Sequence, residues 1–307
     1  MLTLNPELRR AANMLSTLMY SSEGLSPPLT PKYALASILA GVSTTAFTIW
    51  VQEPPTARLI CFTSMAYFLA YQLMRLTGSL QPQPGSISPA EMAEWRDRIL
   101  SFINGALLTI GALLCFAEWP YSPASEGFVS QHIWSQPVTF AALITGYLQW
   151  DLCWVIWHQR SSPDVESVVH HTLFIAMAQY VLWGWYFKVP FAWLALAEIS
   201  TPSLNVRWFL AVSKNKGAAY RINNVIFAVT FLGSRVVGYS LGIAHLWANF
   251  ELWRYEKTGL FAVVACIHLG FLLNLYWANG VVKAMLKAIR GGGASAKVSP
   301  KGESLSA

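Results

Sequence analysis

The sequence predicts an all-α fold: a polytopic transmembrane helical bundle of about eight spans. Three observations lead there. Hydrophobic residues make up 54% of the 307 residues and charged residues only 12%, where a soluble domain carries about 25% charge. The apolar residues gather in runs of roughly 20, the length at which a helix crosses a hydrocarbon core of about 30 Å. The basic residues between those runs fall mostly on one side of the implied membrane. Such a composition excludes intrinsic disorder as the main theme, because disorder needs low hydrophobicity and high charge. It also argues against a soluble α/β enzyme.

The elements follow in order. The turn-forming stretch SPPLTP precedes the first run, Tyr33–Val51. QEPPT, Gln52–Thr56, is a tight turn into the second run, Ala57–Met74. The Pro- and Gly-containing QPQPGSISP and the charged segment Glu91–Arg98 lead to the third, Ile99–Ala117. The fourth run is Pro137–Trp157 and the fifth Val168–Phe187. Almost no loop separates the fifth from the sixth, Val189–Val212. The seventh is Ile222–Trp247 and the eighth Gly259–Leu286, followed by the Gly-rich polar tail RGGGASAKVSPKGESLSA. No internal repeat is visible.

The net charge of +6 reads as topology and not as a nucleic-acid footprint. With eight spans, one side holds fifteen Lys and Arg residues: Arg9, Arg10 and Lys32; Arg75, Arg96 and Arg98; Arg160; Lys214, Lys216 and Arg221; and Lys283 through Lys301. The other side holds four, namely Arg58, Lys188, Arg254 and Lys257. Both termini are therefore expected in the cytosol. The four cysteines, Cys61, Cys115, Cys153 and Cys266, are too scattered for a disulfide framework or a zinc site. No metal site, P-loop, HExxH or GxSxG motif is expected.

Ionisable groups at membrane depth are costly and mark functional or structural clusters. Asp151 lies about 9 Å from the cytosolic end of the fourth span, counting 1.5 Å per residue, with Tyr147 one turn earlier on the same face. His170 and His171 come in the first turn of the fifth span, at similar depth. An imidazole beside a carboxylate can be oriented, or made more basic, for proton transfer. The two rings stand about 100° apart on the helix, so they cannot both point the same way. In the sixth span Glu198, Thr201 and Asn205 form one polar stripe, interrupted by the helix-kinking Pro202. Arg207, near the cytosolic end, is placed to snorkel. Arg235 sits near the middle of the seventh span and needs an acidic partner; depth singles out Glu198. Asn274 in the eighth span is a candidate interhelical hydrogen-bonding group.

In order along the chain, EWRDRILSFINGALL, GYLQWDL, VVHHTLF, AEISTPSLNVRWFL, FLGSRVVGY and LNLYWANGVVK resemble the landmarks of the TLC domain. That domain is shared by translocation-associated membrane proteins, longevity-assurance ceramide synthases and small TLC-domain-containing proteins. This chain looks most like the small transmembrane branch. The resemblance covers about Ile60–Lys287 and implies 57–288 as the TLC domain; charge and composition make residues 1–32 a cytosolic N-terminal segment, 33–56 an additional span and turn, and 289–307 a flexible cytosolic tail. It implies an endomembrane protein of lipid metabolism, in the endoplasmic reticulum or a related membrane. In ceramide synthases the paired histidines serve acyl transfer from acyl-CoA, a role that maps onto His170 and His171 alone. Two features depart from the pattern: the paired aspartates downstream of the histidines are missing, and Asn104 stands where the small branch usually carries a histidine. Asn hydrogen-bonds but does not exchange protons near pH 7.

The first functional reading is a protein of lipid homeostasis that binds lipid or adjusts membrane lipid composition, with Tyr147, Glu198, Thr201, Asn205, Arg235 and Asn274 as substrate-contacting residues. An alternative is a ceramide-synthase-like acyltransferase. There His170 or His171 would be the base, Asp151 its orienting group, acyl-CoA the co-substrate, and Arg160, Lys214 and Lys216 the phosphate contacts. A second alternative is a proton-coupled transporter. Membrane lipids are the expected partners; no cofactor and no nucleic acid are expected.

Overall fold

Proline and glycine set the helix boundaries. The computed structural model describes residues 31–83, 85–118, 128, 136–158, 165–255 and 257–289. The predicted N-terminal segment up to residue 30, Arg160 and the polar tail from Arg290 onward lie outside the described residues. Ten α-helices are described, with no strand among these residues. Helix α1 (Pro31–Val51) is followed by α2 (Pro54–Thr77), which opens with prolines in its first turn, where a missing N–H costs nothing. It ends on Gly78 at φ 67°, the left-handed C-cap that glycine adopts without strain. Helix α3 (Pro89–Glu118) is entered by a capping box. There the Ser88 N–H donates to Glu91 Oε2 at 2.8 Å and the Glu91 N–H to Ser88 Oγ at 3.2 Å. Then come α4 (Gln136–His158), α5 (Val165–Gly184) and α6 (Lys188–Leu196). A 3₁₀ turn, Ala197–Ser200, joins α6 to α7 (Thr201–Val212) without a break in the helical path. Helix α8 (Ala218–Phe231) passes through a π-helical segment, Leu232–Gly238, into α9 (Tyr239–Ala248). Helix α10 (Gly259–Ile289) closes the chain.

Six of these stretches are long and apolar enough to cross a membrane: Tyr33–Val51, Pro54–Thr77, Pro89–Glu118, Gln136–Trp157, Ala218–Ala248 and Gly259–Lys287. The fifth and sixth predicted spans are not among them. Helix α5 is continuous over 20 residues, but Ser167, His170, His171, Thr172 and Gln179 dilute its apolar character. The sixth stretch changes helical geometry at Ala197 and carries the polar stripe. Dropping both spans changes the count by an even number, so the expectation that the termini share one side is unaffected.

The chain folds as two compact units. The first comprises the segments up to Leu100 and Thr145–Ile175. Here α1 packs on α4: Ser37 Oγ donates to the Cys153 carbonyl at 2.8 Å, and Gln149 Nε2 to Thr48 Oγ1 at 2.7 Å. Helix α2 approaches α4 at Gly146, where a Cβ would lie 2.5 Å from the Ile60 carbonyl oxygen and 2.7 Å from Thr63 Cβ. Tyr67 packs edge-on to Tyr147 at 5.1 Å, and Tyr71 against Trp150 at 5.3 Å.

The second unit comprises Ser101–Ile144 and the chain from Ala176 onward. One aromatic core gathers Phe128, Phe187, Tyr239, Leu246, Trp253 and Leu260. Another gathers Phe227, Phe231, Ala278 and Val281, with Leu204, Leu232, Val236 and Met285 against it. Its members place α8 and the π segment antiparallel to α10.

Candidate functional site

Two polar clusters are buried in these helices, one in each unit. In the first, α4 carries Asp151 and α5 carries His171, both buried. His171 Nε2 lies 2.7 Å from Asp151 Oδ2, and its Nδ1 lies 2.6 Å from the Ser167 carbonyl oxygen. A carbonyl only accepts, so Nδ1 carries a proton. One further proton lies along the Nε2–Oδ2 line, whether ring or carboxyl holds it. The pair is thus neutral as a whole in either form, which suits a group at membrane depth. Both ring nitrogens of His171 are engaged by protein. His170 is half-buried and turned elsewhere: its ring lies 4.4 Å from Phe174 and meets His171 edge-on at 5.5 Å. The 100° helical offset between consecutive residues separates the two roles. Tyr147, one turn before Asp151, is buried against Tyr67.

The second cluster forms where two helices leave α geometry. The 3₁₀ turn Ala197–Ser200 presents Glu198 and Ser200, and the π segment presents Arg235. Arg235 Nη2 donates to Glu198 Oε1 at 3.2 Å and to Thr201 Oγ1 at 3.2 Å, while Nε donates to Ser200 Oγ at 3.0 Å. The Thr201 hydroxyl passes its own proton to Glu198 Oε2 at 2.7 Å, and Ser200 donates to the Ala197 carbonyl at 3.1 Å. Each hydroxyl therefore accepts from the guanidinium and donates onward. The guanidinium carbon also sits 5.7 Å from the Phe231 ring centroid. No described residue accepts from Nη1, so two of the five N–H donors of Arg235 remain uncommitted there. The Arg235 side chain is 8% exposed and that of Glu198 22%.

The remaining predicted residues serve this second unit in different ways. Asn205, buried one turn from Thr201, donates from Nδ2 to Ser101 Oγ at 3.2 Å. On the same face of α3 a Cβ on Gly105 would lie 2.9 Å from Thr201 Cβ. Ser101 and Gly105 thus let α3 and α7 approach closely, as small residues four apart do in membrane helices. Asn104 is buried. Asn274 is buried too, and its Oδ1 has no hydrogen-bond partner among the described residues. The sequence reading missed Ser200, which anchors Arg235 Nε, and Ser234, which donates to the Thr230 carbonyl at 2.8 Å. It missed the π segment as well. The run FLGSRVVGY gives its only sequence hint, in the paired glycines that flank Arg235.

A family model described as the TLC domain matches residues 94–283, more than half of the chain. The chain belongs to the TLC-domain family. It is 24% identical over 251 residues to TLC domain-containing protein 4-B of Xenopus laevis, covering 76% of this chain and 92% of that one. It is 23% identical to human TLC domain-containing protein 4 over 237 residues, covering 74% and 86%. A Dictyostelium discoideum relative, TLC domain-containing protein 4 A, is 23% identical over 246 residues, covering 77% and 90%. No solved structure matches the chain. The TLC match contains every residue of both polar clusters and begins after α2 has ended. With six helices suited to crossing a bilayer, this TLC-domain chain is a multi-pass membrane protein.

Proposed function

We propose that the protein acts in lipid homeostasis, binding lipid in an endomembrane such as the endoplasmic reticulum and adjusting membrane lipid composition without covalent turnover. The uncommitted Nη1 edge of Arg235 beside the part-exposed Glu198 carries this reading. A cation held at membrane depth, with donors to spare and a carboxylate alongside, suits the ester or headgroup oxygens of a lipid. The engagement of both ring nitrogens of His171 supports it from the other side. A general base must present a nitrogen to the proton it removes, and His171 would have to break a bond to Asp151 or Ser167 to do so.

One observation favours a second reading, an acyl-CoA-dependent acyltransferase. The carboxylate-held His171 adjoins His170, whose ring is half-buried. In that reading His170 takes the proton from an amine or hydroxyl nucleophile, and Asp151 with His171 positions it.

Mass spectrometry of lipids that copurify with the protein tests the first reading. The wild type is expected to retain a lipid class enriched over the bulk membrane. A Glu198→Ala/Arg235→Leu double variant, which leaves no stranded charge, is expected to lose that enrichment. Equal enrichment in both proteins contradicts the reading.

A further inference from the structure

Between Glu198 and Glu251 the chain contains no Asp or Glu, and there is none from Thr258 through Ile289. That acid-free chain forms α7, α8, the π segment, α9 and α10. Apart from Arg235, its lysines and arginines converge at one end of the second unit. Helices α8 and α10 run antiparallel, with Tyr239 stacked on Phe271 at 5.5 Å and Phe227 in one cluster with Val281 and Met285. Extending that register brings Arg221 level with Lys287. The loop after α7 carries Lys214 and Lys216 to the same end, because α7 and α8 pack as neighbours: Asn223 Nδ2 donates to the Ser203 carbonyl at 2.8 Å. Arg207 lies further in, its guanidinium carbon 5.9 Å from the Phe227 ring centroid.

Lys214, Lys216, Arg221, Lys283 and Lys287 are all exposed. Among the described residues no carboxylate pairs with any of them, whereas Arg98 and Arg254 on other elements have acidic partners within one turn. Directly behind this cationic rim the same helices expose apolar side chains: Ile222 at 61%, Val225 at 62% and Leu286 at 43%. A phosphate-sized anion would meet several cations at the rim, and chains attached to it would lie along the apolar faces. A soluble phosphate compound has no use for those faces.

From this juxtaposition we infer that the α7–α8 loop and the adjoining end of α10 form a docking surface for the headgroup of an anionic phospholipid, on the side predicted to be cytosolic. Opposite charge draws anionic headgroups to juxtamembrane lysine and arginine clusters, and the attraction weakens with salt. The surface is distinct from the Arg235 cluster, and its test stands whatever that cluster binds.

The test is lipid titration of the full-length purified protein in neutral detergent, read by native mass spectrometry. Phosphatidylserine and phosphatidylcholine of identical acyl chains are compared, with coenzyme A and inorganic phosphate as competitors. Wild type is expected to bind phosphatidylserine in preference to phosphatidylcholine. Lys214→Gln/Lys216→Gln/Arg221→Gln is expected to weaken phosphatidylserine binding by about tenfold or more, given the attraction each juxtamembrane cation adds, and to leave phosphatidylcholine binding unchanged. Lys214→Arg/Lys216→Arg/Arg221→Lys, which keeps every charge, should bind as wild type does and controls for folding. Wild type without a phosphatidylserine preference overturns the inference, as does a Gln variant that keeps that preference. Displacement of phosphatidylserine by coenzyme A or phosphate at equal concentration also overturns it, by making a soluble phosphate compound the occupant.

Discussion

Arg235 stays protonated in any protein interior, so removing Glu198 alone would strand a cation whose side chain is only 8% exposed. Breaking a buried pair from one side typically costs about 3–5 kcal/mol. About 3 kcal/mol is the appropriate end of that range, because the Glu198 side chain keeps 22% exposure and Ser200 and Thr201 still accept from Arg235. Glu198→Ala should therefore lower the melting temperature more than Glu198→Ala combined with Arg235→Leu. If the double variant loses as much as both single variants added together, the two residues are not coupled. This pairing was legible in the sequence because few ionisable residues lie at membrane depth and helical rise fixes their heights. The choice between His170 and His171 was not legible. Depth is common to both, and only the rotation of α5 about its axis turns one ring to Asp151. Ser200 was invisible for another reason: a serine in a membrane helix usually bonds a carbonyl of the preceding turn, as Ser234 and Ser240 do here.

At the level of whole helices, close approach depends on small residues, and the α3–α7 contact is the plainest case. A methyl group on Gly105 would sit 2.9 Å from Thr201 Cβ and 3.0 Å from its Cγ2. Thr201 cannot give way without disturbing its bonds to Glu198 and Arg235. Gly105→Ala should thus destabilise by about 1–3 kcal/mol, the usual range for overpacking, and thermal unfolding of the purified protein reads it directly. Gly233→Ala is the contrasting control, since no atom lies within 4 Å of its Cβ position; it should change the melting temperature far less. The helices themselves were legible from apolar run length. The 3₁₀ turn at Ala197 and the π segment at Leu232 were not, because a local change of hydrogen-bond register leaves hydrophobicity almost untouched. Such departures are frequent at functional sites, and here both deliver residues to one cluster.

The whole molecule is a membrane protein with a strongly one-sided distribution of basic residues, and that distribution sets the topology it should adopt. Glycosylation acceptor tags placed at residue 5 and at residue 300 should both remain unmodified in cells, and modification of either contradicts a cytosolic position for that terminus. We propose that the TLC-domain bundle holds lipid and shifts membrane composition without turnover at the histidines. Lipidomic profiling of cells lacking the protein tests this most directly, after rescue with wild type or with His170→Ala/His171→Ala expressed at equal level. Loss of the protein is expected to cause a broad shift in acyl composition that both proteins reverse alike. A single substrate–product pair that wild type restores and the histidine variant does not would contradict it, and would identify an enzyme working through the His170–His171 pair.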